Sequence, residues 1–371
     1  MSELSYMDKL LDGVEVEWKE LGEIAEVGTG KSNRQDESED GAYPFYVRSK
    51  SILKSNTYQF DEVAIIIPGE GGIGDIFHYV EGEYALHQRA YRIHVINEDV
   101  NTKFLYHLMR GSFKKYILAK SVGATSASIR KPMLEKFPIP IPPLNVQAEI
   151  VRILDTFTEL TAELTAELTA RQQQYEYYRK QLLTFENIEV KWSALEDVVK
   201  LQRGKRLIKS QLEMSGDYAV YQNSMKPLGY YHESNVKSDT TFIISAGAAG
   251  EVGYSDVDFW AADDVYFLLT PDNINSKFLY YYLLTQQYKI LAQVRRASIP
   301  RLSRTVIERM QIPIPPLAEQ KRIVSILDKF DALTTSLTEG LPREIALRQQ
   351  QYEYYRDLLL SFPKPEVVAH D

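Results

Sequence analysis

Residues 171–179 read RQQQYEYYR, and residues 348–356 read RQQQYEYYR again without a change. An identity of that length does not arise by chance in a chain of 371 residues, so the two stretches mark equivalent places in a duplicated sequence. Upstream, IPIPPLNVQAEIVRILDTF from Ile139 matches IPIPPLAEQKRIVSILDKF from Ile312. Further back, NTKFLYHLM from Asn101 matches NSKFLYYYL from Asn275, and YPFYVRS from Tyr43 matches YAVYQNS from Tyr218. VEVEWKELGEI around Trp18 matches IEVKWSALEDV around Trp192, and downstream the copies close on Phe185 and Phe362. The chain is therefore a tandem repeat, about 14–185 followed by 188–362.

Each copy has a strand-rich front and a helical back. VAIIIP at 63–68 and TTFIIS at 240–245 are short β-branched runs bounded by glycine clusters, which predicts strands. The Pro-rich straps PIPIPPL and QIPIPPL cannot continue a helix and mark boundaries. Behind the first strap, Ile150, Ile153, Phe157, Leu160, Leu164, Leu168, Tyr175, Tyr178, Leu182 and Phe185 recur at mostly three- and four-residue steps, a seam at coiled-coil spacing. The second copy repeats it with Ile323, Ile326, Phe330 and Leu333 up to Leu337, then Tyr352 and Tyr355 up to Phe362, with Gly340 and Pro342 placed to kink or interrupt the helix. Two such stripes in one chain predict an antiparallel pair, with packing of each seam onto its own front domain as the alternative.

The expected fold class is α+β. Two globular α/β domains, 1–145 and 186–317, alternate with two long helices, 146–185 and 318–362 (kinked near Gly340–Pro342), packing as an antiparallel coiled coil before a tail at 363–371.

Composition excludes several chemistries. With no cysteine, thiol catalysis, disulfides and thiolate metal sites are ruled out, and a reducing cytoplasm suits the chain. The six histidines show no metal-ligand spacing, and no run approaches the length of a membrane span. Net charge is −8, yet it is unevenly spread. Residues 100–134 carry seven Lys or Arg and no acid, residues 273–307 carry six and none, and Lys200, Arg203, Lys205, Arg206 and Lys209 cluster without an acid.

Two nucleotide-like motifs fail on context. AEVGTGKS at 25–32 fits a loose phosphate-loop pattern, but no hydrophobic strand precedes it and a polar turn, NRQDESEDGAY, follows. Its repeat partner keeps Gly204-Lys205 beside Gly30-Lys31 but puts Arg206 where Ser32 stands. GEGGIG at 69–74 fits a dinucleotide fingerprint, yet strand-like sequence lies on both sides. It reads, with SAGAAG at 245–250, as a hairpin turn. No catalytic constellation stands out. The basic loops SVGATSASIRK and RRASIPRLSR recur at matched places before each strap, and small residues beside Arg or Lys suit close approach to phosphates and base edges. Candidate DNA contacts are Lys31, Arg34, Arg89, Arg130, Lys131, Arg203, Lys205, Arg206, Arg295, Arg296, Arg301 and Arg304.

Two variable fronts, each followed by PIPPL…Q..IV.ILD.F and a helix ending RQQQYEYYR, resemble the specificity subunit (HsdS) of type I restriction-modification systems over almost the whole chain. The TAEL units at 158–170 look like those of the type IC group. The resemblance implies two target recognition domains reading the halves of a split DNA site, and a helical spacer docking two methyltransferase subunits (HsdM). It also implies a complex with motor-nuclease subunits (HsdR). On that basis this chain is non-catalytic and carries no cofactor: S-adenosylmethionine belongs to HsdM, and ATP with Mg²⁺ to HsdR. A stand-alone DNA-binding or scaffold protein without a methyltransferase partner is the alternative.

Overall fold

The computed structural model describes residues 10–11, 13–120, 129–185, 190–336 and 338–363. Residues 121–128 of the first basic loop, Leu337 of the seam and tail residues 364–371 lie outside them. The chain divides into two units, Met1–Leu164 with Glu344–Asp371, and Thr165–Arg343. Each front domain thus keeps one half of the central helix.

The first unit begins with β1 (Glu17–Glu20), α1 (Leu21–Ile24), β2 (Ala25–Thr29), β3 (Tyr43–Tyr46) and β4 (Leu53–Ser55). It continues through β5 (Phe60–Pro68), β6 (His78–Leu86), β7 (Ala90–Val95), α2 (Thr102–Lys120), α3 (Lys131–Glu135) and β8 (Pro138–Ile141). Six strands form one sheet in the order β2-β7-β5-β6-β3-β4, and only the β3–β6 pair is parallel. The apolar run of β5 is explained by burial on both faces. Ile65 and Ile67 pack with Leu105, Leu108, Met109 and Phe113 of α2, while Ala64 and Ile66 pack with Val80, Tyr84 and Leu86 of β6.

After α4 (Leu144–Leu182), which starts in the first unit, the second unit repeats the series. It has β9 (Lys191–Ala194), α5 (Leu195–Val198), β10 (Lys200–Arg203), β11 (Tyr218–Tyr221), β12 (Gly229–Tyr231) and β13 (Thr240–Ile244). Then come β14 (Val252–Ser255), β15 (Trp260–Ala261), β16 (Val265–Leu269), α6 (Ser276–Thr285), α7 (Gln287–Ala292), α8 (Arg304–Glu308) and β17 (Gln311–Ile314). Its sheet is split into β10-β16-β13-β14 and β12-β11-β15, because two short strands take the place of the nine-residue β6.

Both glycine-rich motifs are turns of antiparallel hairpins, β5–β6 and β13–β14. Gly71, Gly72, Gly247 and Gly250 have positive φ there, which side chains rarely adopt. Each strap is a strand paired antiparallel with the start of its own copy, Pro140 opposite Trp18 and Pro313 opposite Trp192. Pairing on one side leaves room for the prolines.

The glutamine after each strap is fully buried and ties three segments together. Gln147 Oε1 accepts from the Asn101 N–H (2.8 Å), and its Nε2 donates to the carbonyls of Asp99 and Pro142 (2.7 Å each). Gln320 makes the same set with Asn275, Asn273 and Pro315. Asn101 and Asn275 cap the helices α2 and α6. Gln320→Ala would leave three backbone groups unpaired, so we expect a loss of about 3 kcal/mol in urea unfolding of the full chain. A loss below about 1 kcal/mol would show that the clamp is dispensable.

The single C-terminal helix expected over 318–362 is two helices, α9 (Leu317–Thr334) and α10 (Leu341–Leu359). Gly340 sits between them at φ +80, where a Cβ would come 2.3 Å from the Ala332 carbonyl, and Pro342 occupies the first turn of α10. Both readings of the seams hold within the units. In the first, Phe157 of α4 stacks on Tyr355 of α10 (5.3 Å), while Ile150 and Leu154 pack with Phe104 of α2. In the second, Tyr175 and Tyr178 of α4 stack on Phe330 of α9, while Ile323 and Leu327 pack with Phe278 and Leu279 of α6.

A polar joint repeats where each helix meets its front domain. Asp155 takes Lys103 Nζ and His107 Nε2 (2.8 Å each), and the other His107 nitrogen meets Tyr352 Oη at 3.1 Å. In the second copy Asp328 takes Lys277 Nζ (2.9 Å) and the Tyr281 hydroxyl (2.7 Å).

Candidate nucleic-acid interface

The persistent Gly-Lys pair has a backbone explanation. A Cβ on Gly30 would stand 1.8 Å from the Leu86 carbonyl, and one on Gly204 would stand 2.1 Å from the Ala262 carbonyl. Only glycine lets the exit of β2 or β10 cross so close to the next turn. No helix of phosphate-loop length follows either pair; a three-residue 3-10 turn does, Arg34–Asp36 or Lys209–Gln211.

That next turn, between β6 and β7, gathers the exits of three strands. The Ser32 N–H donates to the Leu86 carbonyl, the His87 N–H to Tyr46, the Gln88 N–H to Ser32 and the Gly69 N–H to Arg89. In the second unit Ala262–Asp264 plays the same part: the Lys205 N–H donates to Ala261, Ala262 to Tyr221 and Ser245 to Asp264. Most of the candidate cations therefore converge on one hub per unit, although they are scattered in sequence.

At the first hub Lys31 and Arg89 are joined by Arg48, which the sequence reading missed because only the fold brings it to Arg89 through Glu70. Arg48 and Arg89 both bind Glu70 Oε2, at 3.1 and 3.2 Å, leaving one net positive charge on these three side chains, to which Lys31 adds another. Burial first, and then the Arg48 and Arg89 charges, hold the His87 imidazole below its ordinary range. Arg34 lies on the adjoining 3-10 turn with its side chain 88% exposed, near Glu37 at 3.8 Å.

At the second hub Arg203, Lys205 and Arg206 are exposed. The Arg203 Nε donates to the Asp263 carbonyl, and Asp263 Oδ1 is buried without a partner among the described residues. Arg301 is bridged to Ala246, two residues beyond β13, and to Arg295, so Arg295, Arg296 and Arg301 share this hub.

Lys131 and Arg304 are placed differently. They begin the equivalent helices α3 and α8, and each binds the glutamate four residues on, Glu135 at 3.5 Å and Glu308 at 2.6 Å. Arg304 also donates to the Leu201 carbonyl of β10 at 3.2 Å. Arg130, exposed, stands at the N-cap of α3, one residue after Ile129, whose N–H donates to Gly69.

The matched backbones carry different side chains. Arg89, whose carbonyl accepts from Gly69, is the counterpart of Asp264, whose carbonyl accepts from Ser245. By the same register Glu70 corresponds to Ala246, Arg48 to Asn223 and Gln88 to Asp263. One scaffold thus presents a different set of donors and acceptors in each copy. Guanidinium groups suit guanine and phosphate, while carboxylates accept from cytosine.

A duplicated α/β scaffold with a cationic loop cluster in each copy defines a two-headed DNA-binding protein. The family model described as type I restriction modification DNA specificity domain matches twice, over residues 13–171 and 187–347, and the chain belongs to that family. A type I restriction enzyme specificity subunit of Escherichia coli is 34% identical over 409 residues, covering all of both chains. A putative type I restriction enzyme specificity subunit of Haemophilus influenzae is 35% identical, covering 96% of this chain and 98% of its own. Among solved structures, the type I restriction-modification S subunit of M. genitalium matches with a TM-score of 0.70 over 95% of this chain and 98% of that one, at 18% identity, a likeness of fold. The chain is a DNA sequence-specificity subunit, and its role is recognition rather than catalysis. No helix among the described residues is long and apolar enough to cross a membrane.

Proposed function

We propose that the chain reads a split duplex site in the cytoplasm, one half per unit, and holds two methyltransferase subunits that methylate adenine with S-adenosylmethionine. Motor-nuclease subunits using ATP and Mg²⁺ would complete a restriction complex, and this chain itself would bind none of these cofactors. The two halves of the site differ in sequence, because equivalent hub positions carry unlike side chains.

The observation that supports a doubled partner is the outer face of the repeated RQQQYEYYR. Tyr175 and Tyr352 are buried, Tyr178 and Tyr355 stack on partner helices, and Arg179 and Arg356 lie over the Tyr175 and Tyr352 rings. Those roles account for the inward positions only. Gln172, Gln173, Glu176 and Tyr177, with their counterparts Gln349, Gln350, Glu353 and Tyr354, are exposed, the two tyrosines by 58% and 65%. Packing within the chain does not require identity there; one kind of partner binding twice does. Native mass measurement of the complex tests this. Tyr177→Asp should remove one methyltransferase subunit, each contact weakening about 30-fold as for an aromatic anchor, and the double change with Tyr354→Asp should remove both. Full occupancy in the double variant would overturn the assignment.

The cations separate by surroundings. Arg301→Ala should lower the slope of log affinity against log salt by about 0.9, one phosphate contact. Arg304→Ala should leave that slope unchanged and instead lower stability, by about 1 kcal/mol, through loss of its hydrogen bonds to Glu308 and Leu201. Equal slopes for the two variants would remove the distinction.

A further inference from the structure

The segment Arg295–Arg301 is a narrow, ribbon-like loop closed by one antiparallel β-bridge. The Arg295 N–H donates to the Arg301 carbonyl (2.9 Å) and the Arg301 N–H returns to the Arg295 carbonyl (3.1 Å). Its far strand is pinned to the second hub: Gly247 donates to Pro300 at 3.1 Å, Leu302 donates to Ser245 at 2.8 Å, and Arg301 is bridged to Ala246. Gly247, at φ +79, lets the backbone pass this close. The ribbon therefore projects from a fixed base.

Its side chains have no use within the chain. Among the described residues no carboxylate lies within ion-pair distance of Arg295, Arg296 or Arg301, whereas most other arginines have such a partner. Three unpaired guanidinium groups within seven residues repel one another unless an anion is present. Between them, at the tip, Ala297, Ser298 and Ile299 are exposed, the isoleucine by 53%. An apolar side chain held out among cations gains nothing from water.

The shape and chemistry agree on one ligand. The DNA major groove admits a two-stranded β-ribbon, a serine hydroxyl can bond any base edge, and an apolar side chain meets the thymine methyl. We infer that the Arg295–Arg301 ribbon is the base-reading element of the second unit: Ile299 packs on a thymine methyl, Ser298 bonds the neighbouring base edge, and Arg295, Arg296 and Arg301 grip the flanking phosphates. This rests on the reading of the chain as a DNA specificity subunit. In the first unit the Ile129 N–H makes the bond to Gly69 that Leu302 makes to Ser245, and residues 121–128 lie outside the described residues.

The test uses the intact complex with its methyltransferase on duplexes randomised across both half-sites, with sequencing of the methylated products. Ile299→Ala should lose about tenfold in discrimination at one or two adjacent base pairs of one half-site, leaving the other half-site sharp. Ile299→Val, which keeps an apolar contact, should retain the parental preference. The triple change of Arg295, Arg296 and Arg301 to Ala should weaken binding to every sequence and lower the salt slope by about 2.7, without changing the bases preferred. Unfolding midpoints equal to the parent's confirm that each variant folds. A parental profile for Ile299→Ala, from a complex that is itself selective, would overturn the ribbon alone. A parent complex without base preference would overturn the specificity reading with it, and a shifted base preference in the triple variant would overturn the phosphate role.

Discussion

Replacement of residues 14–140 by the recognition domain of another specificity subunit should change one half of the methylated site completely and leave the other half as it was. Each front domain has its own core: Ile65, Ile93, Leu105 and Phe113 anchor the first, and Ile243, Leu268, Phe278 and Tyr281 anchor the second. Each also has its own hub turn, 87–89 or 262–264, tied by its own backbone hydrogen bonds. Specific sites typically bind 10³-fold or more above non-specific DNA, so methylation of the original site should fall by about that factor. If mapping showed both halves altered, independent reading would be wrong.

Deletion of Thr161–Leu164 should shorten the gap between the half-sites by one base pair and leave both halves unchanged. The division between the units falls after Leu164, inside the uninterrupted helix α4, so this segment links the two readers. Leu160, Leu164 and Leu168 are half-buried at four-residue steps, and removing one TAEL unit brings the next leucine into the vacated place. Four residues contribute ~6 Å and roughly 40° of rotation to a helix. One base pair contributes about 3.4 Å and roughly 35°. The rotations nearly match, so the ruler requires only that a tilted helix pair take up the difference in length. Methylation at the original spacing should drop by about a hundredfold or more, since a displaced reader loses its whole half-site. Undiminished methylation at the original spacing would refute the ruler.

The duplication, the straps and the long central helix were legible because each is written locally, as a repeated word, a proline run or a periodic stripe. The helical break was half legible: Gly340 and Pro342 announced a disturbance, but only the approach of Gly340 to the Ala332 carbonyl makes it a full stop. Leu154 and Leu327 lie beside the seam residues Ile150 and Ile323, four residues on, and bury with them against the front domain. The hubs were not legible. Their hydrogen bonds join Ser32 to Leu86, Tyr46 to His87 and Gly69 to Arg89, pairs that no local pattern relates. For the same reason Arg48 was missed, while Lys131 and Arg304, prominent in basic runs, turn out to face glutamates on their own helices. Charge patterning found the loops; it could not say which cations the fold leaves free.

Coexpression of the chain with its methyltransferase, followed by mapping of N6-methyladenine across the host genome, tests the central claim most directly. The expected result is one bipartite motif, two unlike halves at a fixed spacing, with modified adenine in it. A single uninterrupted motif, or methylation without sequence preference, would contradict a two-headed specificity subunit.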